Sequence, residues 1–109
     1  MSQSRIEQLF SFLNDDPNDP FTIYAIALEY AKIDQAKSIE YFEKLLTEQP
    51  DYLATYYHAA QLYADMGMHK EAIVAYETGI AKASAQENSL ALRELKNAYE
   101  NFIFENEED

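Results

Sequence analysis

Apolar residues recur along this chain at helical spacing. Ile6, Leu9, Phe10 and Leu13 follow i, i+3, i+4, i+7, which gathers them on one side of a helix. Ile23, Ile26, Ala27 and Tyr30 repeat that spacing, as do Tyr56, Ala59, Ala60 and Tyr63. Ile39, Phe42, Leu45 and Leu46 form a stripe, and so do Ile73, Tyr76 and Ile80. Leu92, Leu95, Tyr99, Phe102 and Ile103 form the last. The punctuation between stripes fits helix ends. Asp19-Pro20 reads as an N-cap followed by proline at the first helical position, where a missing N–H costs nothing. Pro17 and Pro50 stop the helices before them, because the residue before proline avoids the α region. Asp34 can cap the helix carrying Ile39, and Gly67 can take the left-handed turn that closes one. The pattern predicts six helices, at about 4–14, 19–32, 35–48, 53–66, 69–83 and 87–105.

These stripes are copies of one another. Ile6, Glu7, Leu13 and Pro17 recur as Ile39, Glu40, Leu46 and Pro50, each 33 residues on. Tyr24, Ala27, Tyr30 and Ala31 recur at the same shift as Tyr57, Ala60, Tyr63 and Ala64. Ile39 and Glu43 match Ile73 and Glu77 at a shift of 34, so the second copy holds an extra residue at the turn of Gly67. A fixed period of this length marks an array of helix pairs.

The second copy reads Tyr56-x2-Ala59-Ala60-x2-Tyr63, then Ala72-x3-Tyr76 and Gly79. The first reads Ile23-x2-Ile26-Ala27-x2-Tyr30, then Ser38-x3-Phe42, ending at Pro50. This pattern resembles the tetratricopeptide repeat, W-x2-L-G-x2-Y … A-x3-F. The chain departs from it in places. Tyr56 and Ile23 replace the preferred Trp, Ala59 a Leu, Leu45 a small residue, and Ser84 the closing Pro. The resemblance implies an all-α fold, a right-handed α-solenoid of antiparallel helix pairs. It covers about residues 6–84. The expected organisation is one domain over 1–109: a leading half-repeat at 4–17, repeats at 19–50 and 51–84, and a capping helix at 87–105. Lys96 falls where a small contact residue belongs when the last helix is laid over a first helix, which marks that helix as a cap. The acidic tail from Glu105 to Asp109 is expected to be frayed and solvated.

Composition narrows the function. The 48% share of AVILMFWYC residues rules out a disordered acidic tail, and two Gly and three Pro fit long helices with short connections. A net charge of −12 repels nucleic acid and anionic membranes, and leaves a basic peptide or a polar, aromatic-accepting partner. No Cys is present, so there is no disulfide frame and no thiolate site, which fits the cytoplasm. Residues 1–14 hold no apolar block of a secretory signal, and no run approaches the ~20 apolar residues of a membrane span.

What remains is binding. The resemblance implies a concave groove lined by the first helix of each pair, for a peptide or helix of a partner protein. Carried over by position, the groove residues are Tyr24, Leu28, Tyr57 and Gln61, with Arg93 and Asn97 from the last helix. Plain packing is the competing reading for Tyr24, Leu28 and Tyr57. Some members of the family grip a terminal carboxylate with a Lys/Asn/Arg clamp. Tyr24 and Leu28 occupy the positions of its Lys and Asn, so the clamp is not expected here. Glu40 and Lys44 stand as an i,i+4 pair on a solvated face. Asp15-Asp16-Pro17-Asn18-Asp19 has the composition of a calcium loop. Pro20 replaces its Gly and Ile26 its closing Glu, so a turn and a cap are expected instead. His58 and His69 have no third ligand at metal spacing, and no phosphate loop or nucleophile motif is present. No catalysis, cofactor or metal is expected. Two alternatives stand beside the groove. One is a self-associating homodimer, motivated by Phe10 and Phe12 on different faces of the first helix; the other is a small hydrolase using paired carboxylates.

Overall fold

The computed structural model describes residues 4–106. Helix α1 spans Arg5–Asp15, α2 Pro20–Ala31, α3 Gln35–Glu48, α4 Ala54–Asp65, α5 His69–Ala85 and α6 Ser89–Glu105. No strand occurs among the described residues. Every boundary lies within two residues of its expected position. The fold is all-α and solenoid-like. The chain divides into two compact units, residues 1–55 and 56–109.

The first unit is capped throughout by local side chains. Ser4 accepts a bond from the Glu7 amide at 3.1 Å while the Glu7 carboxylate accepts from the Ser4 amide at 3.0 Å. This reciprocal arrangement occupies two amide donors that the helix itself leaves unpaired. Asp19 accepts from the Thr22 amide at 3.3 Å and from its hydroxyl at 2.6 Å. The acidic run before α2 therefore works as a turn and a cap. Asp34 accepts from the Lys37 amide at 3.2 Å and starts α3 in the same way. Such caps stabilise a helix by about 1 kcal/mol each.

Between α2 and α3 the apolar stripes meet. Ile23, Ile26, Ala27, Ile39, Phe42 and Leu45 are buried. The Ser38 hydroxyl donates to the Ala27 carbonyl at 2.6 Å, a buried tie between the two helices. Leu9 of α1 joins Ala25 and Ile26, with Phe10, Tyr30 and Tyr41 against them. Tyr30 and Tyr41 stack at 5.7 Å, and Phe10 meets both edge-on at 6.5 and 6.1 Å. Phe12, on the other side of α1, is 55% exposed. Lys44 differs from its expected pairing: it bonds Glu48 at 3.1 Å, not Glu40. Partners one turn away in either direction differ by only a few tenths of a kcal/mol, so spacing cannot choose between them.

In the second unit Ala59, Ala60, Ala72, Ala75 and Gly79 are buried. Their small size lets helix surfaces come close. Tyr76 stacks on Tyr99 at 5.5 Å and lies 5.8 Å from Phe102, which ties α5 to α6. The C-terminal ends of α4 and α5 close by the same motif. The amide of Gly67 donates to the Ala64 carbonyl and that of Met68 to the Tyr63 carbonyl, at 3.1 and 2.8 Å. The amides of Glu87 and Asn88 do the same to Ser84 and Ala83, both at 3.0 Å. Gly67 sits at φ +76° and Glu87 at φ +56°. A non-glycine residue in the left-handed region carries strain. That turn explains why α5 runs two residues beyond its expected end, to Ala85. At the other terminus α6 stays helical through Glu105 and is closed by Asn106, whose side chain donates to the Phe102 carbonyl at 2.8 Å. The expected fraying at Glu105 is therefore absent; residues 107–109 lie outside the described residues.

Candidate functional site

Tyr24 and Leu28 share one face of α2 at i, i+4, and both are half-buried. Tyr24 meets Phe42 edge-on at 6.5 Å and Tyr52 at 5.9 Å. Burial, and then the nearby phenol of Tyr52, raise the Tyr24 phenol above its ordinary value. Much of this ring is thus held by packing inside the first unit.

Tyr57 and Gln61 lie one turn apart on α4. Tyr57 is half-buried, edge-on to His58 at 5.3 Å, and its hydroxyl accepts a long 3.4 Å bond from the Gln61 amide group. Desolvation lowers the His58 imidazole below its ordinary value. Asp65 continues the Tyr57–Gln61 stripe by one more turn. Opposite it Ala98, Asn101, Phe102 and Glu105 form a stripe on α6, with Tyr76 of α5 at the base. The two stripes enclose a hollow of about 340 Å³. Burial raises the Tyr76 phenol, and the nearby ionisable side chains of Tyr57, Asp65 and Glu105 raise it further.

Arg93 and Asn97 are exposed and line a different hollow, of about 490 Å³, at the α5–α6 turn. Their neighbours there include Lys96, Glu87 and Glu100. Of the six residues expected in a groove, then, Tyr57 and Gln61 share one hollow and Arg93 and Asn97 another. The hollow of Tyr57 and Gln61 also takes in Asp65, Asn101, Phe102 and Glu105, which are not among the six expected residues. Asp65 was within reach, since it extends the stripe of Tyr57 and Gln61 by four residues. The α6 residues lie further along their helix than the overlaid positions.

No three His, Asp or Glu side chains group as a metal site among the described residues. His69 is exposed, with its ring 5.6 Å from Phe102. No helix is long and apolar enough to cross a membrane among the described residues.

Residues 53–81 match the family model for the tetratricopeptide repeat. The chain is also similar to a tetratricopeptide repeat domain protein from Salinibacter ruber, known in solution. Identity is 36% over 86% of this chain and 96% of that one, with a TM-score of 0.80. The chain belongs to the tetratricopeptide repeat family. A crystal structure of a Salinibacter ruber tetratricopeptide repeat domain protein is 37% identical over 78% of this chain and 96% of that one, with a TM-score of 0.73. A Bordetella parapertussis protein shares the fold at 18% identity, covering 95% of this chain and 91% of its own, with a TM-score of 0.80. No curated protein sequence matches the chain. Tetratricopeptide repeats are general protein–protein interaction modules, and the family consists typically of non-enzymatic scaffolds.

Proposed function

We propose that this chain is an interaction module that takes a peptide or helix of a partner protein against its first helices. The residues proposed to touch it are Tyr24 and Leu28 on α2, Tyr57 and Gln61 on α4, and Arg93 and Asn97 on α6. The proposed division is a single domain, with a leading half-repeat, two repeats and a capping helix. The observation that carries the reading is the hollow containing Tyr57 and Gln61. It brings a half-buried phenol ring and an exposed side-chain amide to one concave surface, with the buried Phe102 beneath. Large aromatic contacts beside hydrogen-bonding groups are what the centre of an interface needs.

The test is a random-peptide selection on the full chain, followed by fluorescence anisotropy on the peptides obtained. Tyr57→Ala and Gln61→Ala, singly and together, are compared with Glu40→Ala/Glu43→Ala, which alters the exposed side of α3. We expect binding to weaken about tenfold or more in the Tyr57 variant, the loss typical of a central aromatic contact. Circular dichroism should be unchanged, and the α3 variant should bind normally. Equal binding by all variants sinks the assignment. Gln61 is exposed, so its variant keeps the test informative if Tyr57→Ala loosens the fold.

A further inference from the structure

α6 turns Leu95 and Phe102 toward α5, where they lie by Gly79 and Tyr76. Its opposite side carries Leu90, Arg93, Asn97, Glu100 and Phe104, all exposed. These five follow one another at spacings of three, four, three and four, the pattern by which one helix lies along another. Large apolar residues stand at both ends of the stripe: Leu90 is 56% exposed and Phe104 76%. Asn97 is at the centre. Arg93 and Glu100 lie between, and no ion pair among the described residues occupies either. Lys96 is one residue from Asn97, about 100° round the helix, so its bulk stays at the margin of the stripe.

The stripe is complementary to itself. A two-fold axis at Asn97 lays a second α6 antiparallel on the first. Leu90 and Phe104 are each seven residues from Asn97, so Leu90 of each copy meets Phe104 of the other. Phe104 arrives there beside the hollow of about 490 Å³ that Ser89, Leu92, Arg93 and Asn97 help to line. Arg93 is four residues before Asn97 and Glu100 three after it. The two therefore come within one residue's rise, about 1.5 Å along the axis, of facing each other across the pair. Each copy supplies one such Arg–Glu contact in each direction. A parallel pair would instead set Arg93 against Arg93 and Glu100 against Glu100. The helix dipoles also favour the antiparallel choice. Asn97 against Asn97 fixes the register, because a lone polar residue in such a seam is satisfied in one alignment.

We infer that α6 is the contact through which two copies of this chain pair, antiparallel about Asn97. The inference rests on the reading of Arg93 and Asn97 as partner contacts and deepens it: the helix they take is α6 of a second copy. Tyr57 and Gln61 line the other hollow and are not part of this contact. Two helices touching along one stripe bury less than the ~1,600 Å² of a standard interface, so pairing is weak and reversible, with a Kd on the order of 100 µM.

Sedimentation equilibrium of the full chain, from ~10 µM to ~1 mM, reads the pairing. Sodium chloride at ~0.15 M screens the repulsion between two acidic chains beyond about 8 Å. We expect the mean mass to rise with concentration from the monomer value toward twice it. Arg93→Glu and Glu100→Arg should each weaken pairing about tenfold, since each spoils two contacts at once, and Phe104→Ser should do the same. An equimolar mixture of Arg93→Glu and Glu100→Arg chains should pair as the parent does, because every cross-contact again joins unlike charges. Phe12→Ser, on α1, should change nothing. All four residues are exposed, so the variants keep the fold, which circular dichroism checks. A parent chain that stays monomeric at the highest concentration overturns the inference. So does pairing that survives Arg93→Glu and Phe104→Ser, pairing that Phe12→Ser abolishes, or a mixture that fails to pair. The two readings fail separately. Selected peptides that need Tyr57 uphold the groove even if the chain stays monomeric. Pairing restored in the mixture upholds the α6 contact even if the peptides ignore Tyr57 and Gln61.

Discussion

Single side chains set several local features that no hydrophobic pattern announces. The Thr55 hydroxyl oxygen is buried and has no partner among the described residues. The Ser38 hydroxyl is buried too, but its bond to the Ala27 carbonyl satisfies it. Tyr99 is the most strongly perturbed phenol. Its hydroxyl donates to Glu77 at 2.7 Å. That bond, then desolvation and the charge of Glu77, push its pKa from 10.0 up to about 12. A folded-state pKa above the unfolded one means that the folded chain holds this proton more tightly. Its stabilising effect is complete below pH 10 and is lost as pH rises from 10.0 through about 12. Glu77→Gln removes the charge and keeps an acceptor. We expect the Tyr99 titration, followed by phenolate absorbance, to move down toward the ordinary value in that variant. The alkaline loss of stability should become shallower, with a remainder from Tyr24, Tyr41, Tyr52 and Tyr76, whose phenols are also raised. A titration identical to the parent's would show that Glu77 does not control Tyr99.

Helices are the scale at which the sequence reads best. Asp19, Asp34 and Gly67 act where their residue types direct, because capping and left-handed turns are local and need no distant partner. Glu87 escapes such reading, since nothing about a glutamate advertises a positive φ. Helix-to-helix contact depends on size. A Cβ added at Gly79 would lie 2.6 Å from the Cβ of Tyr56 and 3.3 Å from the Leu95 side chain. Alanine gains about 1 kcal/mol of helix propensity over glycine. Overpacking costs about 1–3 kcal/mol, and here it presses on a carbon fixed to the backbone of α4 rather than on a flexible tip. We expect Gly79→Ala to lower stability by about 1–2 kcal/mol, read from the midpoint of urea unfolding. A variant as stable as the parent would mean that α5 yields freely at this contact.

For the molecule as a whole, charge outweighs any single ion pair. The net charge is −12, and salt bridges such as Lys32–Glu29 and Lys44–Glu48 are local pairs on helix surfaces. Exposed pairs of this kind contribute little, whereas repulsion among many like charges disfavours the compact state. The Debye length falls from about 30 Å at 0.01 M salt to about 8 Å at 0.15 M. We therefore expect the melting temperature to rise with sodium chloride over that range. Chloride is preferred to sulfate, which stabilises folded chains by exclusion from their surface. A flat or falling melting curve would mean that the acids are spaced too widely to repel.

Sequence alone determined the helices, their period and the family, because each rests on spacing within about one repeat. The stripe Tyr57–Gln61 was legible for the same reason, as an i,i+4 pair on one helix. Only tertiary structure decided what faces it. Asp65 and Glu105 are 40 residues apart in the chain, and folding alone brings them to one hollow. It also placed Arg93 and Asn97 in another. A helix pattern states which side of the helix a residue occupies. Which turn of a neighbouring helix it meets is set by packing at residues such as Gly79 and Tyr76, and those contacts exist only once the chain has folded.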